Sequence, residues 1–178
     1  DDDAPIIDLD NTTAGNNYST SFTEDNPAIA ISNAATITDV DNTNMTSATI
    51  TLTNNLDGIT DENIALTAAQ ITAADGLGIT VNVATNNVIS LSGSSSIANY
   101  QTVINQIVYN NTSQNPSTTN RSITVVVNDG ANNSNTATTT ISITADDDAP
   151  IIDLDNTTAG NNFATSFTED VNSNLPIT

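Results

Sequence analysis

The chain has no cysteine, histidine, lysine or tryptophan, and a single arginine, Arg121. Without cysteine, neither disulfides nor thiolate metal sites are available. Without histidine, the commonest general base and the commonest transition-metal ligand are both missing. No lysine exists to activate a serine nucleophile. Against the one arginine stand 21 acidic residues, for a formal net charge of −20. Nucleic acid is excluded as a partner, because phosphate binding needs clustered Lys and Arg. An anionic membrane surface is disfavoured for the same reason. No apolar run approaches the length of a membrane span, so direct membrane insertion is not expected, and no signal peptide is seen.

What is present is a repeat. Residues 1–25 open DDDAPIIDLDNTTAGNN and close YSTSFTED; residues 146–170 open identically and close FATSFTED. Only Tyr18/Phe163 and Ser19/Ala164 differ. A fixed offset of this kind marks a tandem array. The period is too long for a short-repeat solenoid, so each repeat is expected to be a domain with its own core. The reading is one repeat over 1–148, with its Asp-rich linkers, and the start of the next over 149–178. That tail is expected either to complete the first repeat's sheet, the favoured arrangement, or to pair with a neighbouring molecule.

Short runs alternate Ile, Val, Leu and Ala with Thr, Ser and Asn. In SATITLT, Ala48, Ile50 and Leu52 share one face; in RSITVVVND, Ile123, Val125 and Val127 do; in TATTTISIT, Ala137, Thr139, Ile141 and Ile143 do. Period two with β-branched residues is the pattern of half-buried strands. IIDL, YSTSFT, AATIT, GITVNVA and NVISLSG are further strand candidates. DNTN, NNLDG, AADG, TNN and NDGANN read as turns. This regularity argues against the disorder that low aromatic content and high net charge otherwise suggest. One segment departs from it: Ile97, Tyr100, Ile104 and Ile107 recur at helical spacing behind a serine able to cap. The expected class is therefore all-β, an antiparallel sandwich with one short helix.

The acids are not scattered. They gather at strand ends and in turns, and none lies between Asp75 and Asp129. Clustered carboxylates repel one another and destabilise the compact state. A hard divalent cation relieves this, and calcium takes six to eight oxygens without needing His or Cys. DVDNTN at 39–44 begins like an EF-hand loop. It carries Asn44 where the turn glycine belongs and Ile50 where the bidentate Glu belongs, and it lies between strands. The Gly-rich nonapeptide of calcium-binding β-helices is absent.

Four motifs in order resemble a cadherin repeat. DDDAP at 1–5 and 146–150 is similar to the Asp-rich inter-repeat linker. SFTED at 21–25 places Glu24 where cadherins carry a Glu after their first strand, with Glu169 as its copy. ITDVDNTN at 37–44 is similar to the Asp-x-Asp-x-x-Asn loop, matching Asp39, Asp41 and Asn44. VVVNDGANNSNTATTTISITADDDAP is similar to the last strands, with Asp129 and Gly130 in the turn. The repeat is longer than a cadherin repeat, and the acid-free stretch 76–128 lacks the Leu-Asp-Arg-Glu-type motif. The helix segment and IVYNNTSQNPSTTNRSITVVVNDG resemble the cadherin-like repeats of giant bacterial surface adhesins of the type I-secreted, RTX kind. This resemblance implies a cadherin/immunoglobulin-like sandwich and a Ca2+-dependent extender module on the bacterial cell surface. Its partners would be neighbouring repeats, and other domains would carry the tip ligand. It implies one junction built from Glu24, Asp129 and Asp146, Asp147 and Asp148. A second, with the preceding repeat, would use Asp1, Asp2, Asp3, Asp39 and Asp41. Asp8 and Asp10, repeated as Asp153 and Asp155, are additional candidates.

Two other classes compete with this one. A repeat that itself binds a glycan or a like module is the alternative, although aromatics are only 3% of the chain and sugar sites favour them. The Thr rows also fit an ice-binding surface, but outward Thr is ordinary in strands. Catalysis is not expected. Asp61 and Glu62 are read as part of a solvated loop, and Arg121 as a structural partner for a carboxylate near a strand start.

Overall fold

The alternating runs become strands in the computed structural model, which describes residues 2–85, 87–157 and 159–166. The chain forms two compact units, Asp1–Asp146 and Asp147–Thr178. In the first unit a six-stranded sheet is built from β2 (Tyr18–Thr23), β5 (Asn44–Leu52), β7 (Thr80–Thr85), β8 (Val88–Ser96), β10 (Arg121–Asn128) and β11 (Ala137–Thr144). Its order is β2-β11-β10-β5-β8-β7. A three-stranded sheet runs β3 (Ile29–Ala30), β9 (Val108–Asn111), β6 (Glu62–Ala65), and β1 (Ile6–Asp8) pairs with β4 (Thr36–Thr38). The all-β sandwich read from the sequence is thus the observed class. One pairing departs from the antiparallel expectation: β2 lies parallel to β11, Tyr18 opposite Thr139.

The period-two pattern sets the inner face. Ile50 sits between Val125 and Ile89, and Ile123 beside Leu52, so each register brings apolar partners together. These residues are fully buried or nearly so, with Ile7, Leu9, Ile31, Ile64 and Ile107 from the other layer. Phe22 of the large sheet meets Tyr109 of the small one edge-on, with centroids 5.5 Å apart. Thr139 turns its hydroxyl across the interface to the Ile31 carbonyl at 2.5 Å.

The expected helix is α2 (Ile97–Ile104); Ser96 caps it by accepting from the Asn99 amide at 3.2 Å, and Tyr100, Val103 and Ile104 are buried. Burial pushes the Tyr100 phenol up to about 12, and its hydroxyl donates to the Gly93 carbonyl at 2.7 Å. A second helix, α1 (Ala68–Gly76), was not expected, and its last residues are the AADG read as a turn. The signal was a capping box: the Thr67 hydroxyl accepts from the Gln70 amide while the Gln70 side chain accepts from the Thr67 amide.

Gly93 sits in β8 at φ +121°, where a methyl group would strike the Gly78 carbonyl oxygen. Left-handed backbone and a backbone clash act together there. Gly93→Ala is expected to cost about 2–4 kcal/mol, read as a lowered denaturation midpoint at unchanged m-value.

The second unit repeats the first unit's opening loop. Leu9 N–H bonds the Asn16 carbonyl at 3.0 Å, and Leu154 N–H bonds that of Asn161 at 3.3 Å. Gly15 and Gly160 share positive φ, +106° and +113°. Burial is not repeated: Ile7 and Leu9 are fully buried, whereas their copies Ile152 and Leu154 are 73% and 63% exposed. Every strand paired in the first unit's sheets comes from residues 6–144. Of the tail 149–178, residues 149–157 and 159–166 form no strand, and 158 and 167–178 lie outside the described residues.

Candidate metal centre

Three segments meet at the end of the first unit where β5 begins and β10 ends. Asp3 N–H bonds Asp41 Oδ2 at 3.1 Å, and Asn42 Nδ2 bonds Asp2 Oδ1 at 2.6 Å. From the β10–β11 turn, Asn132 Nδ2 reaches the Asp2 carbonyl at 2.8 Å. Linker, loop 39–42 and turn 129–132 are therefore joined without any basic side chain.

Each loop is folded by its own aspartate. Asp39 Oδ1 accepts from the amides of Asp41 and Asn42, at 3.1 and 2.9 Å. Asp129 Oδ1 accepts from those of Ala131 and Asn132, at 2.6 and 2.7 Å. In both, Oδ2 is buried with no hydrogen-bond partner. Burial works to raise the Asp39 carboxyl, but the Asn42 and Asp41 amides outweigh it and hold it below its ordinary value of 3.8. Asp41 moves the other way. The Asp3 amide pulls it down, but burial and the carboxylates of Asp39 and Asp2 leave it raised.

The same turn corrects the expected grouping. Asp129 was placed in one junction with Glu24 and Asp146. Because β10 and β11 form an antiparallel hairpin, Asp129 lies at the end opposite to where β11 finishes. It lies instead at the end that holds Asp2, Asp3, Asp39 and Asp41, where its turn reaches Asp2 through Asn132. Glu24 sits at the far end, just past β2: its amide bonds the Thr144 carbonyl at 2.9 Å, and its Oε2 accepts from the Asp146 amide at 2.8 Å. Glu24 is 3% exposed, and its Oε1 is likewise buried without a hydrogen-bond partner. Asp147 and Asp148 are exposed and belong to the second unit. Asp1 and Glu169 lie outside the described residues.

The Asp10 carboxylate, unlike those of Asp39 and Asp129, has donors on both oxygens. Its Oδ1 accepts from the Thr12 amide and hydroxyl and from Asn33 Nδ2, at 3.1, 2.6 and 3.0 Å; its Oδ2 accepts from the Thr13 hydroxyl at 2.9 Å. Asp8 Oδ1 accepts from the Asp10 amide at 2.9 Å. The Thr12 hydroxyl above all, with Thr13 and Asn33, holds the Asp10 carboxyl below 3.8. Its folded value being lowered, the stability it adds is complete above 3.8 and lost as pH falls through that lower value. Asp10→Asn should therefore destabilise at neutral pH, with the gap to the parent narrowing in acid, as measured by urea titrations across that window.

Asp57, Glu62 and Arg121 form a different kind of centre. Arg121 and Glu62 are fully buried, which corrects the solvated-loop reading of Glu62; the expected strand-start pairing of Arg121 is observed. Arg121 Nε pairs with Glu62 Oε1, and its Nη2 with Asp57 Oδ2 at 2.5 Å. Nη1 donates to the carbonyls of Ser117 and Thr119. Tyr109 donates to Glu62 Oε1 at 2.6 Å, and burial pushes its phenol well above the usual range. Glu62 Oε2 takes the amides of Leu56 and Asp57, at 2.7 and 3.1 Å. Here protein donors satisfy the buried charge.

The unmet oxygens fit a hard cation. Calcium coordinates carboxylate and carbonyl oxygens, and a buried carboxylate oxygen with nothing bound to it is costly. Among the described residues no group of three or more acids is drawn together tightly enough to hold a metal by itself. Carbonyls, Asn side chains or a neighbouring module would have to supply the remaining oxygens.

Among the described residues no helix is long and apolar enough to cross a membrane. No family model matches the chain, and no curated protein matches it. Among solved structures, a chain of the CaDoc0917–CaCohA2 complex, a dockerin–cohesin pair, is similar to this chain. The two share 13% identity at a TM-score of 0.38, over 76% of this chain and 99% of that one, a likeness too distant to bear on function.

Proposed function

We propose that the chain is a calcium-stabilised extender repeat of a bacterial surface adhesin, rigidifying an extracellular array that projects a ligand-binding tip. One observation carries this reading. The three buried side-chain oxygens without a hydrogen-bond partner among the described residues belong to Glu24, Asp39 and Asp129. All three are residues that the cadherin resemblance marks as ligands. Asp2, Asp3, Asp39, Asp41 and Asp129 would hold calcium at one end of the module, and Glu24 with Asp146 at the other. Bound calcium supplies charge neutralisation, and the residues fix the linker against loop 39–42 and turn 129–132. Affinity on the order of 10⁻⁴–10⁻³ M suits an extracellular module.

Isothermal titration calorimetry tests this. Saturable heat at millimolar calcium is expected, reduced to that of the Glu24 end on Asp39→Asn combined with Asp129→Asn; absence of heat in the parent chain contradicts the proposal. The split-domain arrangement is tested separately by truncation after Asp148 at saturating calcium. A lowered melting temperature supports completion of the first sheet by the tail, and an unchanged one removes it.

A further inference from the structure

The metal reading uses the ends of the module and leaves its largest face without a role. None of the six strands of the large sheet carries an Asp or Glu, and the single cation among them, Arg121, is buried. In a chain of net charge −20 this face is bare of charge. Thr140 opposite Ser122, Thr124 opposite Thr51, and Thr49 opposite Ser90 lay hydroxyls side by side across four strands. These residues are half-buried or exposed, and the core and smaller sheets lie behind the other face.

We infer that this hydroxyl face is a self-association surface, and that its occupant is the same face of a second copy of this chain. A hydroxyl both donates and accepts, so a face of hydroxyls is complementary to itself, as a two-fold contact between identical patches requires. A second copy approaching here brings no carboxylates into opposition, whereas approach at either end does. Six strands about 4.8 Å apart and some seven residues long span roughly 600 Å². That is close to the about 800 Å² per partner of a standard interface. Two sheets packed face to face are an ordinary arrangement. A polar interface of this size is weak in one copy, on the order of 0.1–1 mM; tandem repetition at a fixed offset multiplies it along paired arrays. The inference does not depend on the metal sites.

Sedimentation equilibrium on the 178-residue chain in millimolar calcium tests it. The parent is expected to dimerise within that concentration range. Thr49→Lys with Thr140→Lys should remain monomeric even though it lowers the net charge, while Thr72→Lys with Thr102→Lys, on the helices, should dimerise like the parent. In parallel, NMR shifts of the parent on dilution should concentrate on outward residues of the six strands, a readout that needs no variant to fold. A parent monomeric at millimolar concentration overturns the inference, as does a dimer that survives Thr49→Lys/Thr140→Lys. Retention of a monomeric parent on a neutral polysaccharide resin, lost in that variant, would give the face to a carbohydrate instead.

Discussion

Arg121→Met should lower stability by about 3–5 kcal/mol, because removing one partner of a buried ion pair leaves uncompensated charge inside. The guanidinium meets Glu62, Asp57 and two backbone carbonyls, and no other cation exists to replace it. For a domain of this size the loss is a drop of roughly 6–20 °C in melting temperature. Arg121→Lys should fall nearly as far, since an ammonium does not reproduce the fork that spans two carboxylates. Adding Glu62→Gln to Arg121→Met should recover part of the loss by removing the stranded charge. Calcium at millimolar concentration should not rescue Arg121→Met, because Glu62 and Asp57 are already wrapped in backbone and amide donors. Denaturation in urea, with and without calcium, measures all three.

The second large effect is calcium itself. A cation that binds only the folded state at 100 times its dissociation constant adds about 2.7 kcal/mol per site. The melting temperature of the parent should rise by about 5–10 °C on adding calcium. Asp39→Asn or Asp129→Asn should remove at least half of that rise, because each deletes charge beside a buried oxygen with no hydrogen-bond partner. Asp10→Asn is the contrasting variant: it should melt lower yet keep the full calcium response, since its carboxylate is occupied by Thr12, Thr13 and Asn33. The response should also weaken in acid. Without metal the Asp41 carboxyl is raised, so it favours its proton as pH falls toward that value, and the proton competes with calcium.

How much of this was legible in the sequence follows from how local each feature is. The strands were readable because alternation is a property of five or six consecutive residues, and SATITLT and RSITVVVND became β5 and β10. The opening loop was more local still: its two copies reproduce the Asp-to-amide bond at 2.9 Å, with Asp8 to Asp10 and Asp153 to Asp155. Helix α1 shows in the Thr67–Gln70 box, but it is short and its closing AADG also fits a turn. Burial of Glu62 was not legible, because it depends on Asp57, Tyr109 and Arg121 arriving from other elements. The grouping of Asp129 went wrong for a related reason. The resemblance grouped it with Asp146, but a hairpin returns the chain, and the two lie beyond opposite ends of β11. Asp8 and Asp10 are additional candidates by residue type, and the enclosure of Asp10 was not legible because Asn33 reaches it from another segment.

The central claim is that calcium sits against the unpaired oxygens of the acidic loops. The direct measurement is anomalous diffraction from crystals grown with abundant calcium. The account predicts a peak about 2.3–2.6 Å from Asp39 Oδ2 or Asp129 Oδ2, surrounded by oxygens alone. Ordered water at those loops, with no anomalous signal, contradicts it.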